Sequence, residues 1–262
     1  MNPSTTIPIA RPRTTPALPA AALQIAERVL RKYLRTPGLF IMGMVQSALF
    51  LFFFRYVFGG AIHAGMTTYV DFMVPGYVAT IVLFTGSAIA VGVAEDHAQG
   101  LTDRLLSLPI ARTSLVIGRA LADFTTNGWS IAFTTAVGFA FGFRLPASTT
   151  DALAALGLCL LYSLVFVFVF IVIGLYSPNA QAAQGMSMIG FILAFVSSTY
   201  VPPSSMPSLL RAFAQNQPVT PMVNAVRSTL TGSSHDITLA LTWSAALLII
   251  FIPIAVIRYR HA

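Results

Sequence analysis

Six apolar runs of about twenty residues alternate with polar stretches along this chain. A helix rises about 1.5 Å per residue, so a run of about twenty residues is long enough to cross the roughly 30 Å hydrocarbon core of a bilayer. The pattern therefore predicts an all-α polytopic membrane protein with six transmembrane helices. The expected spans are 39–58, 72–94, 124–143, 152–176, 182–201 and 239–257.

Two polar segments precede the first span. Residues 1–19 are rich in proline, contain no apolar run and predict a disordered cytoplasmic tail. Residues 20–37 have apolar positions at three- and four-residue spacing, which predicts an amphipathic interface helix along the cytoplasmic face of the membrane. Residues 38–262 are expected to form one transmembrane domain. The charged side of the interface helix carries Glu27, Arg28, Arg31, Lys32 and Arg35.

Basic residues are distributed unevenly between the two sets of loops. The tail, the interface helix, the loop after span two and the C-terminus together hold most of the fifteen Lys and Arg residues. Basic loops stay on the cytoplasmic side of a membrane. We therefore expect a multi-pass protein of the inner (plasma) membrane, with membrane lipids among its partners and both termini in the cytoplasm.

Composition agrees with the membrane class, since 56% of the residues are hydrophobic and 9% are charged, whereas about a quarter are charged in a soluble domain. A net charge of +7 is compatible with nucleic-acid binding, but the basic residues lie in short stretches between the apolar runs. Membrane orientation accounts for that distribution, so no nucleic-acid partner is expected.

The residue types needed for catalysis are sparse. The single lysine, Lys32, stands between Arg31 and Tyr33, which excludes the Gly-Lys-Ser/Thr end of a P-loop. Four widely separated histidines and a single cysteine, Cys159, match no common zinc motif. We therefore expect no enzymatic activity, no catalytic residue, no metal site and no cofactor in this chain.

The polar interruption between spans two and three has the pattern of a short helix. Leu101, Leu105 and Leu108 recur at helical spacing beside Arg104, and Pro109 ends the pattern. In the predicted topology this segment faces the cytoplasm, either as a plain interfacial loop or as a docking surface for a cytoplasmic partner. The residues expected to make such a contact are Glu95, Asp96, Gly100, Arg104, Leu105, Leu108, Pro109 and Arg112.

The same loop contains a pair of opposite charges. Arg119 and Asp123 stand four residues apart, the spacing that brings side chains together on one helix face. We expect them to pair at the entrance to span three, where pairing lowers the cost of holding charge near lipid.

The polar interruption before span six, residues 202–236, is expected on the outer side as a re-entrant helical hairpin. Met206, Leu209 and Phe213 belong to an apolar stripe, while Thr220 and Pro221 are typical of a helix N-cap and first helical position. Its polar side chains are expected to face a wet cavity, another subunit or the headgroups, so the hairpin is either a gate or a headgroup-level cap. The candidate gate residues are Met206, Phe213, Asn216, Gln217, Pro218, Pro221, Asn224 and Arg227.

Two stretches, residues 95–112 and 197–227, carry a resemblance to a known family. Their residues that do so are Glu95, Asp96, Gly100, Arg104, Leu105, Leu106, Leu108, Pro109, Arg112, then Ser197 through Pro202, Met206, Pro207, Asn216 through Pro221, and Arg227. In this order, with six spans and an N-terminal amphipathic helix, they resemble the membrane subunits (permeases) of type 2 ABC exporters, especially the daunorubicin-resistance-like branch. The resemblance extends over about residues 20–260.

The resemblance implies a larger complex. Type 2 exporters combine two membrane subunits, identical or different, with two ATP-binding subunits that bind ATP and Mg and that contact a coupling helix between spans two and three. The chain would then export a hydrophobic drug or lipid-like molecule, with a polysaccharide or glycolipid as the alternative cargo. A non-transporting membrane scaffold or a channel is the alternative from another class. The aromatic residues of span one either line the path or face lipid and packing neighbours: Phe50, Phe52, Phe53, Phe54 and Tyr56.

Overall fold

The computed structural model describes residues 18–35, 37–59, 69–101, 104, 111–144, 148–231 and 237–261. Within these ranges every regular element is helical, which confirms the all-α prediction. The α-helices are α1 (Leu18–Arg35), α2 (Pro37–Phe53), α3 (Tyr69–Ala98), α4 (Arg112–Ala140), α5 (Thr149–Tyr176), α6 (Ala180–Phe195), α7 (Ser208–Asn216), α8 (Val219–Thr231) and α9 (Thr238–His261). A π-helical turn, Phe54–Phe58, extends α2, and a short 3-10 turn, Pro203–Ser205, precedes α7.

Helices occupy all six positions where spans are predicted. In α3, α5 and α9 the apolar stretch is long enough to cross a membrane, and α2 and α6 are shorter apolar helices. The six-span arrangement therefore stays a prediction. Most of the predicted tail, residues 1–17, lies outside the described residues.

Two predicted boundaries differ from the helices observed. Because α4 begins at Arg112, well before position 124, Arg119 and Asp123 lie inside this helix and not at its entrance. In contrast, α6 ends at Phe195 instead of residue 201. Hydroxyl groups account for this early end, since Ser197 Oγ donates to the Ala194 carbonyl at 2.6 Å and so competes with the helical hydrogen bonds.

The long helix α3 lies at the centre of the fold and packs against α4, α5, α6 and α8. Glycines allow the close approach. The ring of Phe170 on α5 occupies the space where Gly86 on α3 would carry a side chain, and a Cβ on Gly190 of α6 would lie 3.0 Å from the same ring. Small residues at such contacts are typical of helices that associate in a membrane, where close packing stabilises the assembly.

Candidate functional site

Charged residues and one tyrosine from α1, α3 and α4 meet at one point, which we call the ionic cluster: Lys32, Tyr33, Glu95, Asp96, Arg119 and Asp123. On α1, Lys32 Nζ lies 3.2 Å from Asp96 Oδ1 and 3.5 Å from Glu95 Oε2. On α4, Arg119 Nη1 donates to Asp96 Oδ2 at 2.9 Å. The carboxylate of Asp96, in the last turns of α3, therefore connects a lysine of α1 with an arginine of α4.

The inner half of the ionic cluster is closed to solvent. Arg119 Nε donates to Asp123 Oδ2 at 2.7 Å, and the side chains are 6% and 0% exposed, respectively. Tyr33 donates its hydroxyl hydrogen to Asp123 Oδ1 at 3.0 Å. Burial, with the nearby Asp123 carboxylate, raises the pKa of Tyr33 above its ordinary value, so this hydroxyl stays protonated and remains a donor.

Two glycines provide the room for the ionic cluster, because a side chain at either position would meet a neighbouring helix. A Cβ on Gly92 of α3 would lie 2.8 Å from Arg119 Nη2, the nitrogen that donates to the Ile89 carbonyl at 3.2 Å. A Cβ on Gly118 of α4 would lie 2.6 Å from the carbonyl oxygen of Ala22 on α1. The two glycines therefore set how closely α4 approaches α3 and α1.

The structure extends the second span beyond its predicted end at residue 94. Glu95 and Asp96 belong to the last turns of α3 and pair with Lys32 and Arg119. Gly100, in a left-handed conformation with φ of +64°, follows the end of α3.

The remaining coupling residues are only partly covered by the structure. The Arg104 backbone N–H donates to the Gly100 carbonyl at 3.2 Å. Leu105, Leu108 and Pro109 lie outside the described residues, as does the side chain of Arg112. Docking by this segment therefore stays a prediction.

The interface helix corresponds to α1, whose apolar side is covered by protein. Ala22, Ala26 and Val29 are buried, and α1 packs extensively against α4. Lys32 turns toward the ionic cluster, while Glu27 forms an ion pair with Arg31 at 2.5 Å on the exposed side. The position of α1 at the membrane surface stays a prediction.

A second polar cluster surrounds Arg227 of α8. Its Nε and Nη2 atoms donate to the Phe72 carbonyl at 3.2 and 3.0 Å, and Nη2 also donates to the Ser198 carbonyl at 3.0 Å. The guanidinium carbon lies 3.8 Å from the centre of the Phe72 ring, and Nη1 donates to Asn224 Oδ1 at 3.1 Å. A Cβ on Gly76 would lie 3.0 Å from Arg227 Nη2. Arg227 thus ties α8 to the start of α3 and to the turn after α6.

Other gate candidates also bond within this chain. Gln217 Nε2 donates to the Leu193 and Val196 carbonyls at 3.0 and 3.3 Å, and Asn216 donates to the Ala212 carbonyl of its own helix. Asn224 and Arg227 bond to groups of this chain, whereas Gln217 Oε1 is buried without a hydrogen-bond partner in the described part of the chain. The expectation that these side chains face a wet cavity, another subunit or the headgroups stays a prediction. Phe213 is half exposed on α7.

The start of α8 differs from the predicted N-cap. The helix begins at Val219, and Thr220 Oγ1 accepts a hydrogen bond from the Ser198 backbone N–H at 3.2 Å. Pro218 precedes the helix and Pro221 lies in its first turn, where a missing N–H removes no helical hydrogen bond. Met206 ends the 3-10 turn, and its carbonyl accepts from Arg211 at 3.0 Å. Whether this hairpin is a gate or a cap stays open to test.

Aromatic rings from α2, α3 and α6 assemble on one side of the fold. Ring centres lie 5.9 Å apart for Phe50 and Tyr77, 4.6 Å for Phe54 and Tyr200, and 4.6 Å for Phe84 and Phe191. Phe52, Phe53 and Tyr56 are exposed, so the span-one aromatics divide between this cluster and the exterior. Tyr77 and Tyr200 are buried within the cluster and Phe195 is exposed. We call the cluster the aromatic face: Phe50, Phe54, Tyr77, Phe84, Phe191, Phe195 and Tyr200.

Comparison with known families places these features in context. The sequence model of the ABC-2 type transporter matches residues 21–231, which include every residue of the ionic cluster, the Arg227 cluster and the aromatic face. The chain belongs to the ABC-2 type transporter family. It is a permease, the membrane subunit of such a transporter, and the predicted resemblance is confirmed.

Two curated relatives of this ABC-2 permease match it over most of its length. A daunorubicin resistance ABC transporter permease protein of Streptomyces coeruleorubidus is 26% identical over 245 residues, covering 92% of this chain and 87% of the relative. A probable doxorubicin resistance ABC transporter permease protein of Mycobacterium tuberculosis is 24% identical over 247 residues, covering 93% and 89%. Both relatives are homologous to the ABC-2 permease described here.

Sequence patterns revealed part of the ionic cluster. The spacing of Arg119 and Asp123 predicted their pairing. Glu95 and Asp96 were recognised as acidic residues at the end of an apolar run, but their pairing with Lys32 and Arg119 was not predicted. The role of Tyr33 was missed, because its position on the apolar side of α1 predicts burial but no particular partner. Gly92 was missed for a similar reason, since the group that needs its space comes from another helix.

Proposed function

We propose that this ABC-2 permease exports a hydrophobic drug from the cell, powered by ATP hydrolysis in separate subunits. ATP and Mg bind to two ATP-binding subunits, and two membrane subunits, identical or different, form the path. Both termini of the chain face the cytoplasm in the inner membrane, and the chain crosses it six times. Membership of the ABC-2 type transporter family supports ATP-driven export, and the ionic cluster is the observation that carries the coupling mechanism.

The ionic cluster supports mechanical coupling at the cytoplasmic end of the fold. Separating its buried Arg119 and Asp123 is energetically unfavourable, since leaving one charge of such a pair buried and unpaired costs about 3–5 kcal/mol. A displacement of α1, or of the segment that follows α3, is therefore passed to α3 and α4 together. In the proposed cycle the ATP-binding subunits contact this end and move it when they close around ATP.

The length of α3 supports transmission to the other side of the membrane. Asp96 belongs to the ionic cluster near its C-terminal end, and the Phe72 carbonyl binds Arg227 near its N-terminal end. These residues stand about 36 Å apart along a helix with a rise of about 1.5 Å per residue. The same helix carries Tyr77 and Phe84 of the aromatic face between them. Motion of α3 would thus alter the aromatic face and the outer hairpin together.

The aromatic face supports a flat, hydrophobic cargo. Stacked and edge-on rings bind aromatic molecules through apolar burial and quadrupole complementarity. The relatives are named for resistance to daunorubicin and doxorubicin, which favours a drug over a lipid-like molecule. Transport also requires that the cargo bind the two states of the path unequally, since equal affinity for both would shift nothing.

Copurification and vesicle transport test the proposal together. The tagged chain, purified from its own membranes, should bring with it a second chain that contains a P-loop. Inside-out vesicles containing both should accumulate doxorubicin only with hydrolysable ATP. If no P-loop chain accompanies the permease, or if uptake is equal with and without ATP, the proposal is wrong.

Variants of the aromatic face test the cargo. Phe84→Ala with Phe191→Ala should lower doxorubicin uptake several-fold while assembly with the ATP-binding subunit is retained. The matched control is Phe52→Ala with Phe53→Ala, because those rings are exposed and lie outside the aromatic face. An equal fall in both double variants would remove the aromatic face from the transport path.

A further inference from the structure

Helix α1 has an exposed side that the contacts described above leave unused. Leu30 and Leu34 follow Leu23 by seven and eleven residues, so the three leucines form one stripe along the helix. Leu23 is 59% exposed and Leu34 is 79% exposed, whereas Leu30 is partly buried. Because Ala26 and Val29 on the adjoining side of α1 pack on α4, and Leu30 packs against them, the helix cannot turn to bury Leu23 and Leu34.

A basic face runs beside the leucine stripe. Arg28, Arg31 and Arg35 share it, and Glu27 offsets only Arg31 through their ion pair. Within the part of the chain that the structure describes, Arg28 and Arg35 have no ion pair. An open cleft of about 450 Å³ lies along this face, lined by Gln24, Glu27, Arg28, Arg31, Lys32 and Arg35.

Chain connectivity places the basic face close to a membrane surface. One residue separates the end of α1 at Arg35 from the start of α2 at Pro37, and α2 is the first apolar helix. A single residue spans less than about 4 Å, so the C-terminal turn of α1 must lie near the headgroups if α2 enters the bilayer. The leucine stripe then meets the boundary of the acyl chains, and the arginines meet the layer of phosphates.

We propose that the basic face of α1 binds anionic phospholipid headgroups of the cytoplasmic leaflet, with Leu23 and Leu34 inserted beside them. An exposed apolar stripe next to arginines is the arrangement that binds such a surface. A purely acidic protein surface would match the charges but would leave the leucines exposed to water. The lipid holds α1 in place from one side while Lys32 and Tyr33 hold it to the ionic cluster from the other.

Native mass spectrometry of the detergent-purified full chain tests the headgroup contact without ATP or a drug. The wild type should retain phosphatidylglycerol in preference to phosphatidylcholine. Arg28→Gln with Arg35→Gln should lower that preference about 25-fold, because each basic residue near an anionic surface strengthens binding about fivefold. Arg55→Gln with Arg144→Gln removes the same charge elsewhere and should keep the preference. Equal lipid retention by both double variants would overturn the proposal.

Insertion of the leucine stripe is a separate readout. In a background with Cys159→Ala, Leu34→Cys can carry a polarity-sensitive fluorophore. Its emission should shift to the blue in nanodiscs with phosphatidylglycerol and less so with phosphatidylcholine alone. Emission typical of water in both lipids would overturn the proposal. So would a shift that appears only after the ATP-binding subunit is added, because a protein would then cover the stripe. Neither readout depends on transport, so a failure here leaves the proposed export to its own tests.

Discussion

Arg119 Nε lies 2.7 Å from Asp123 Oδ2, one helical turn along α4, at a site that water does not reach. The pair does not stand alone, because Arg119 also binds Asp96 of α3 and Tyr33 donates to Asp123 from α1. Two hydrogen-bonded charges thereby join three helices at the cytoplasmic end predicted for the fold. A rearrangement of any one of these helices must either carry the others along or break a buried contact.

The first prediction concerns the stability of this pair. Arg119→Ala leaves the Asp123 carboxylate buried without its cation and should lower the free energy of unfolding by about 3–5 kcal/mol. Arg119→Ala combined with Asp123→Ala removes both charges and should recover part of the loss. Thermal denaturation of the purified protein measures both changes. A double variant no more stable than Arg119→Ala would contradict a paired role.

The second prediction concerns Gly92, which leaves room for the Arg119 guanidinium because glycine has no side chain. In Gly92→Ala the added methyl group would displace Arg119, so both the melting temperature and drug export should fall. Gly157→Ala is the matched control, because no atom lies within 4 Å of the added Cβ. Its melting temperature should stay the same or rise, since alanine favours a helix by about 1 kcal/mol over glycine. Equal effects of the two substitutions would show that Gly92 has no special role.

These features mark what sequence patterns can and cannot predict. Apolar runs located the helices. However, hydropathy marks where a helix enters lipid and not where its backbone hydrogen bonding begins. The start of α4 at Arg112 was therefore missed. Spacing within one helix predicted that Arg119 meets Asp123. The partners of Arg227 were not predictable in this way, because the carbonyls of Phe72 and Ser198 are backbone groups that every residue carries. Tertiary packing selects those two oxygens.

The third prediction concerns the fork of hydrogen bonds made by Arg227. Lysine keeps the charge but cannot reach the Phe72 carbonyl, the Ser198 carbonyl and Asn224 with one planar group. Arg227→Lys should therefore loosen α8 from α3, which limited proteolysis and a lower melting temperature would report. Arg211→Lys is a control on the exposed helix α7, where the loss should be smaller. Wild-type behaviour of Arg227→Lys would mean that charge alone suffices at this site.

The fourth prediction concerns topology. In a background with Cys159→Ala, a cysteine replacing Arg258 should react with a membrane-impermeant maleimide only from the cytoplasmic side. A cysteine replacing Ser148, the exposed N-cap of α5, should react only from outside. Labelling of whole cells and of inside-out vesicles distinguishes the two sides. Reaction of position 258 from outside would contradict the six-span topology.

The most direct test of the coupling account is the number of drug molecules exported per ATP hydrolysed, measured in proteoliposomes with the ATP-binding subunit. Asp96→Asn keeps the size of the side chain but removes the charge that joins Lys32 to Arg119, and Asp151→Asn is a control at the start of α5. The account predicts that Asp96→Asn lowers this ratio several-fold, with normal assembly and near-normal ATP hydrolysis, while Asp151→Asn keeps the wild-type ratio. An unchanged ratio for Asp96→Asn would contradict transmission through the ionic cluster.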